Sequence, residues 1–153
     1  MTAQRIRPQA ICVFRCDERI LVTEAVDPIK RQTFYRPLGG GIDFGEHSAD
    51  AVIREVREEI SAEVANLRYI GTLENIFIHN GVASHEIVQV YDGQLLNESL
   101  YEMQTVPGVE SDGKAFGAIW KSLDTFSKER PLYPHGLLEL LRGRTLTVGR
   151  EAF

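Results

Sequence analysis

Runs rich in valine, isoleucine, phenylalanine and tyrosine recur at residues 10–15, 19–23, 33–36, 67–78, 86–91 and 115–120, most of them bounded by turn residues, and predict six strands. Two stretches follow a helical period instead. From residue 48 to about 62, Ala49, Val52, Ile53, Val56 and Ile60 fall within one stripe roughly 100° wide, the face a helix turns to a core. A second helix, at 136–142, is announced by the proline of PLYPHGLLELL. Two helices among several strands, without regular alternation, predict an α+β fold in which helices cover a mixed sheet rather than a doubly wound parallel one. Residues 100–113 show weak periodicity and contain Pro107, Gly108 and Gly113, so a long loop is expected there. Neither an internal repeat nor a linker-like stretch divides the chain, and one domain over residues 1–153 is the expectation.

Charge narrows the partners. A formal net charge of -5 argues against the broad basic footprint that binding along nucleic acid requires, although one phosphate can still be held through a metal ion. No apolar run approaches the roughly 18 residues that span a bilayer, and the opening MTAQRIRPQA lacks a secretory apolar stretch; a cytoplasmic protein that binds neither membrane nor nucleic acid is expected. Cys12 and Cys16 lie four apart on one predicted strand, too far for an ordinary disulfide, and read as small buried hydrophobes. His47, His79, His85 and His135 form no zinc-ligand spacing. Apolar edge strands leave a homodimer open.

The chemistry concentrates in residues 37–62, PLGGGIDFGEHSADAVIREVREEISA. On the helix, Glu55, Glu58 and Glu59 group within about 100° of one another, away from the apolar stripe. Like charges three and four residues apart repel by a few tenths of a kcal/mol each unless a cation sits among them. Carboxylate oxygens suit Mg²⁺ or Mn²⁺. The bland alternative is a solvated acidic face neutralised by Arg54 and Arg57. Against it stands GGGIDFGE, whose Gly39, Gly40, Gly41 and Gly45 precede the helix where backbone must turn or approach a ligand closely.

This segment resembles the box of the Nudix hydrolases: Gly, five residues, Glu, seven residues, then Arg, Glu, aliphatic, any, Glu, Glu, any, Gly, aliphatic. Gly40, Glu46, Arg54, Glu55, Val56, Glu58 and Glu59 match in register over residues 40–62. Ser61 and Ala62 depart from it, standing where the box has Gly and an aliphatic residue. Losing that glycine removes the residue best suited to a left-handed cap, so a later or less sharp helix end is expected.

The resemblance implies an α/β/α sandwich with a mixed β-sheet and a metal-dependent attack of water on a diphosphate. Glu58 and Glu59 then look like principal metal ligands, Glu55 like a further ligand or the group orienting the water, and Gly39 like a carbonyl ligand. Glu46 and Arg54 resemble the pair that positions those carboxylates. Glu55, Glu58 and Arg54 are accordingly the catalytic candidates, with Mg²⁺ or Mn²⁺ as cofactor. The general base of such enzymes often lies outside the box; Glu86 and Glu110 are candidates for it and for substrate contact, and His85 stands beside Glu86. Arg36 precedes the glycines, where a guanidinium can grip phosphate. Tyr35, Phe44 and Phe77 are candidates for stacking on a base, each weighed against ordinary packing, and Trp120 is read as packing. The implied activity is hydrolysis of the pyrophosphate bond in a nucleoside diphosphate linked to another moiety, ADP-ribose or a nucleotide sugar. The alternative is a non-catalytic Nudix domain that senses a nucleotide; the intact carboxylates favour catalysis.

Overall fold

Ala10, Ile11, Cys12, Val13 and Phe14 are all buried in succession, which a strand achieves only when both its faces are covered. In the computed structural model, which describes residues 3–143, they form the middle of β1 (Ile6–Cys16). Their side chains alternate between two cores. Ala10, Cys12 and Phe14 join Val52, Val56 and Ile60 of α1 (Ser48–Ile60). Ile11 and Val13 join Leu137 and Leu141 of α2 (Leu137–Leu141) on the opposite face. A helix on each side of a central sheet is the α/β/α sandwich anticipated. Each fully buried aliphatic side chain of these cores contributes about 1.5–3 kcal/mol.

The remaining strands are β2 (Arg19–Asp27), β3 (Gln32–Arg36), β4 (Leu38–Gly41), β5 (Val64–His79), β6 (Val82–Leu95), β7 (Thr105–Val109) and β8 (Ala115–Ser122). The main path runs β5-β6-β1-β2-β8-β7, with β3 paired to β2 and β4 to β1. Only the β1–β6 pairing among these is parallel, so the sheet is mixed. β1 is the hub: Gln9 to Cys12 pair with β4, and Arg15 and Cys16 pair with β2. Through this arrangement β4 lies alongside the middle of the parallel pair, and α1 packs against it.

Several expectations need correction. The loop foreseen at 100–113 contains a 3₁₀ turn and strand β7, paired along its length with β8. Pro107 is tolerated because β7 is at the sheet's edge. Gly108 is required there: a Cβ would lie 2.8 Å from the Glu59 carbonyl oxygen and 2.4 Å from the Phe116 ring. The glycines at 39–41 are strand β4 rather than loop. Helix α1 stops at Ile60 instead of running to 62 or beyond, because Ser61 itself takes the left-handed conformation (φ 54°). Its buried side also reaches around to Ala51, while Ala49 and Ile53 are half-buried. α2 is shorter than 136–142. Cys12 is buried but Cys16 only partly, and both are free. Trp120 does pack, donating its indole N–H to the Leu100 carbonyl at 3.1 Å and stacking on Tyr101. The single-domain expectation extends at 1–2 and 144–153 beyond the described residues. No helix among the described residues is long and apolar enough to cross a membrane.

Candidate active site

Helix α1 presents its acidic side to β4 and to the β7–β8 hairpin, and between them opens a cleft of about 410 Å³. Gly39, Gly40 and Gly41 form one wall, Glu55, Glu58 and Glu59 another, and Val109, Glu110, Ser111 and Phe116 close the side opposite. Arg36 and Thr23, partners across β2 and β3, reach in from below with Gln9 and Ile11 of β1. Six of the anticipated site residues thus share the cleft: Arg36, Gly39, Glu55, Glu58, Glu59 and Glu110.

Arg54 lies behind this wall and ties it together. Its Nε and Nη2 donate to the two oxygens of Glu46 at 2.8 Å each, a bidentate pair, and Nη2 also donates to the Gly41 carbonyl at 2.9 Å. Its Nη1 donates to Glu55 at 2.9 Å and to Glu58 at 3.3 Å. The guanidinium therefore joins the glycine strand to the helix and fixes the direction of two carboxylates. Glu46 is held well below the usual range, from 4.5 to about 2, first by the Arg54 hydrogen bonds and then by the Asp43 amide.

Glu59 behaves oppositely. Burial, and then the neighbouring charge of Glu55, push its carboxyl from 4.5 up to about 8, against the pull of the Gly39 amide hydrogen bond; Glu110 adds a smaller push. Glu55 and Glu59 lie close enough for their charges to repel, a cost that a hard divalent cation among them would remove. The donors are all oxygens, the set that Mg²⁺ or Mn²⁺ prefers, and so they fit such an ion. Among the described residues no three His, Cys, Asp or Glu side chains are gathered tightly enough to hold an ion as they stand. Arg54 Nη1 is the shared partner of Glu55 and Glu58, and Glu58 is 58% exposed.

Other candidates lie elsewhere. Glu86 does not line the cleft; only 2% exposed, it is neither a solvated strand-end charge nor open to substrate. Its oxygens accept from Arg7 at 2.8 Å and from Arg36 and Asn75 at 3.4 Å. Tyr35 belongs to the second core, donating its hydroxyl hydrogen to Glu24 at 3.0 Å. Phe44 is fully exposed, Phe77 and His85 are half-buried, and none of the three lines the cleft. Gln9, Thr23 and Phe116 line it without having been foreseen. Only the pairing of distant strands places them there: Thr23 and Phe116 fall in runs that read as ordinary strands, and Gln9 lies just before one.

The family model of the NUDIX domain matches residues 5–137. This chain belongs to the Nudix hydrolase family. Among curated relatives, the NAD-capped RNA hydrolase NudC of Pseudomonas aeruginosa is 36% identical over 76 residues, covering 50% of this chain and 27% of that protein. NudC of Vibrio vulnificus is 37% identical over 68 residues, covering 44% and 25%. The match therefore spans about a quarter of those relatives' length. Among solved structures, the MutT NUDIX hydrolase of Burkholderia pseudomallei superimposes with a TM-score of 0.64 at 20% identity, covering 90% of this chain and 98% of that one. At that identity the likeness speaks for the Nudix fold, and the mixed sheet between two helices described above is that fold.

Proposed function

We propose that this Nudix protein is a divalent-metal-dependent pyrophosphohydrolase that cleaves the pyrophosphate bond of a nucleoside diphosphate linked to another moiety, with ADP-ribose or a nucleotide sugar as the preferred class. One observation carries the reading: Glu55, Glu58, Glu59 and Glu110 meet Arg36 across a single cleft. Glu55, Glu58, Glu59 and the Gly39 carbonyl are the groups that would hold Mg²⁺ or Mn²⁺. Such an ion, when bound, supplies neutralisation of phosphate charge and a water acidic enough to give hydroxide near neutral pH. The chain's own part is orientation. Arg54 aims Glu55 and Glu58, Arg36 takes phosphate oxygens, and Glu110 faces the carboxylates from the β7–β8 hairpin, where a proton from the attacking water can be received.

The NudC relatives support a neighbouring substrate, since NAD is itself a nucleoside diphosphate joined to a second nucleoside. A net charge of -5 favours the small molecule over an RNA body. The test is nucleotide-monophosphate release from ADP-ribose, nucleotide sugars, NADH, dinucleoside polyphosphates, modified nucleoside triphosphates and NAD-capped RNA, with and without Mg²⁺ or Mn²⁺. Metal-dependent turnover of a disubstituted diphosphate well above the rest is expected. Silence across the panel while ligands still bind would move the protein to the sensing class.

A further inference from the structure

Among the described residues, the lining of the cleft carries four carboxylates and a single cationic side chain, Arg36. It is the one charged group of that lining that can meet an anionic substrate directly. Arg36 is not a free surface charge. Its Nη2 lies 3.4 Å from Oε2 of Glu86, which is buried between its cross-strand partners Arg7 on β1 and Asn75 on β5. Arg7 Nη2 donates to Oε1 at 2.8 Å, and Asn75 Nδ2 donates to Oε2 at 3.4 Å. Asn75 is fixed in turn, its Oδ1 accepting from the His135 amide at 3.2 Å. Arg7, Glu86 and Asn75 thus form one row across three strands, and Arg36 crosses to it from β3.

A buried carboxylate with two guanidinium groups leaves the cluster one positive charge in excess. Arg36 gives this hydrogen bond from one of its five N–H donors while the residue lines the cleft. Holding the guanidinium before substrate arrives removes the cost of ordering a long, rotamer-rich side chain on binding.

We propose that Arg36 is the cleft's anion-binding residue, taking the substrate's phosphate, and that Glu86 is a positioning residue that holds Arg36 there through the Arg7–Glu86–Asn75 row. Glu86 therefore serves affinity rather than proton transfer. The inference rests on the pyrophosphohydrolase reading for its kinetics, but its binding arm does not depend on turnover.

With a hydrolysed substrate, Arg36→Gln should raise KM roughly ten- to a hundred-fold, the loss expected for a charge-assisted hydrogen bond to phosphate, with a much smaller change in kcat. Glu86→Gln should raise KM in the same sense, keep the acidic limb of the kcat pH profile, and add little when combined with Arg36→Gln. A large fall in kcat with that limb removed would make Glu86 the general base and overturn the proposal. So would additive effects of the two changes. Arg36→Lys covers the case in which Glu86→Gln does not fold: lysine keeps the charge but cannot span carboxylate and phosphate together, so KM should still rise. An unchanged KM counts against the proposal. Calorimetric titration of ADP in Mg²⁺ decides the matter if the substrate panel is silent. Weaker ADP binding by Arg36→Gln than by the parent supports the anion site even where the hydrolase reading has failed. Equal binding, or none by the parent, discards it.

Discussion

The Cα of Gly40 faces the carboxyl group of Glu55 with no room for another carbon: a Cβ there would lie 2.6 Å from Cδ and 2.7 Å from each oxygen. The strand and the helix are thus fitted to one another at the carboxylate, with Arg54 clamping both. Gly40→Ala should push Glu55 aside while costing the fold about 1 kcal/mol or less, because the displaced group is the end of a side chain. The expected outcome is turnover lowered at least about ten-fold, with weaker Mn²⁺ binding by titration and a nearly native melting curve. Parental turnover and Mn²⁺ affinity would mean that the position of Glu55 does not matter to the reaction.

Glu58 is the most exposed of the three helix carboxylates, so little of the fold depends on it. Glu58→Gln should lower turnover by at least roughly two orders of magnitude with an unchanged melting curve in chelator. The parent's melting temperature should rise on adding Mg²⁺ or Mn²⁺, by mass action on the native state. An equal rise in Glu58→Gln would place the ion somewhere other than this helix face.

Much of this cleft was legible from one segment, because the groups that bear the chemistry sit on a single helix whose 3.6-residue period can be read directly. The period and the apolar stripe group Glu55, Glu58 and Glu59 on one face, and the glycines of GGGIDFGE with the box spacing separate them from a solvated acidic face. Strand β7 was not legible, since Pro107 and Gly108 carry ordinary loop signals and their fitness appears only once the Glu59 carbonyl is placed against Gly108. Glu86 is the sharper case. In HEIVQVY it looks like a polar residue at a strand's start, and only the parallel register of β1 on β6 sets Arg7 beside it. Long-range pairing of this sort leaves no local trace.

The ion pair of Glu46 and Arg54 links the loop before α1 to the helix, and it should register in the pH dependence of stability. The Glu46 carboxyl titrates near 4.5 when unpaired and at about 2 in the folded protein. Its contribution is therefore fully present above about pH 4.5 and is lost as pH falls towards 2. Glu46→Gln should lower the urea midpoint at pH 7, and the gap from the parent should narrow steadily below pH 4.5 as the parent's own carboxyl takes up its proton. A gap that stays constant from pH 7 to pH 3 would show that the charge on Glu46 contributes nothing to stability.

Ser61 ends helix α1 in the left-handed region, at φ 54° and ψ 37°, with its amide donating to the Arg57 carbonyl at 3.0 Å. A residue with a Cβ pays roughly 1–2 kcal/mol there, and glycine does not. Glycine also loses more freedom on folding, by about 0.5–1 kcal/mol, which offsets part of the gain. Ser61 is exposed and the cap is made by its backbone amide, which glycine keeps, so the substitution forfeits no packing that would reverse the sign. Ser61→Gly should accordingly stabilise the protein by about 0.5–1 kcal/mol, a rise of roughly 1–4 °C in melting temperature for a chain of this size. The substitution lies two residues beyond Glu59, and because the helix already ends where a glycine would end it, kcat and KM should stay at the parental values. A lower melting temperature would show that the serine hydroxyl supports the turn into Ala62 and β5.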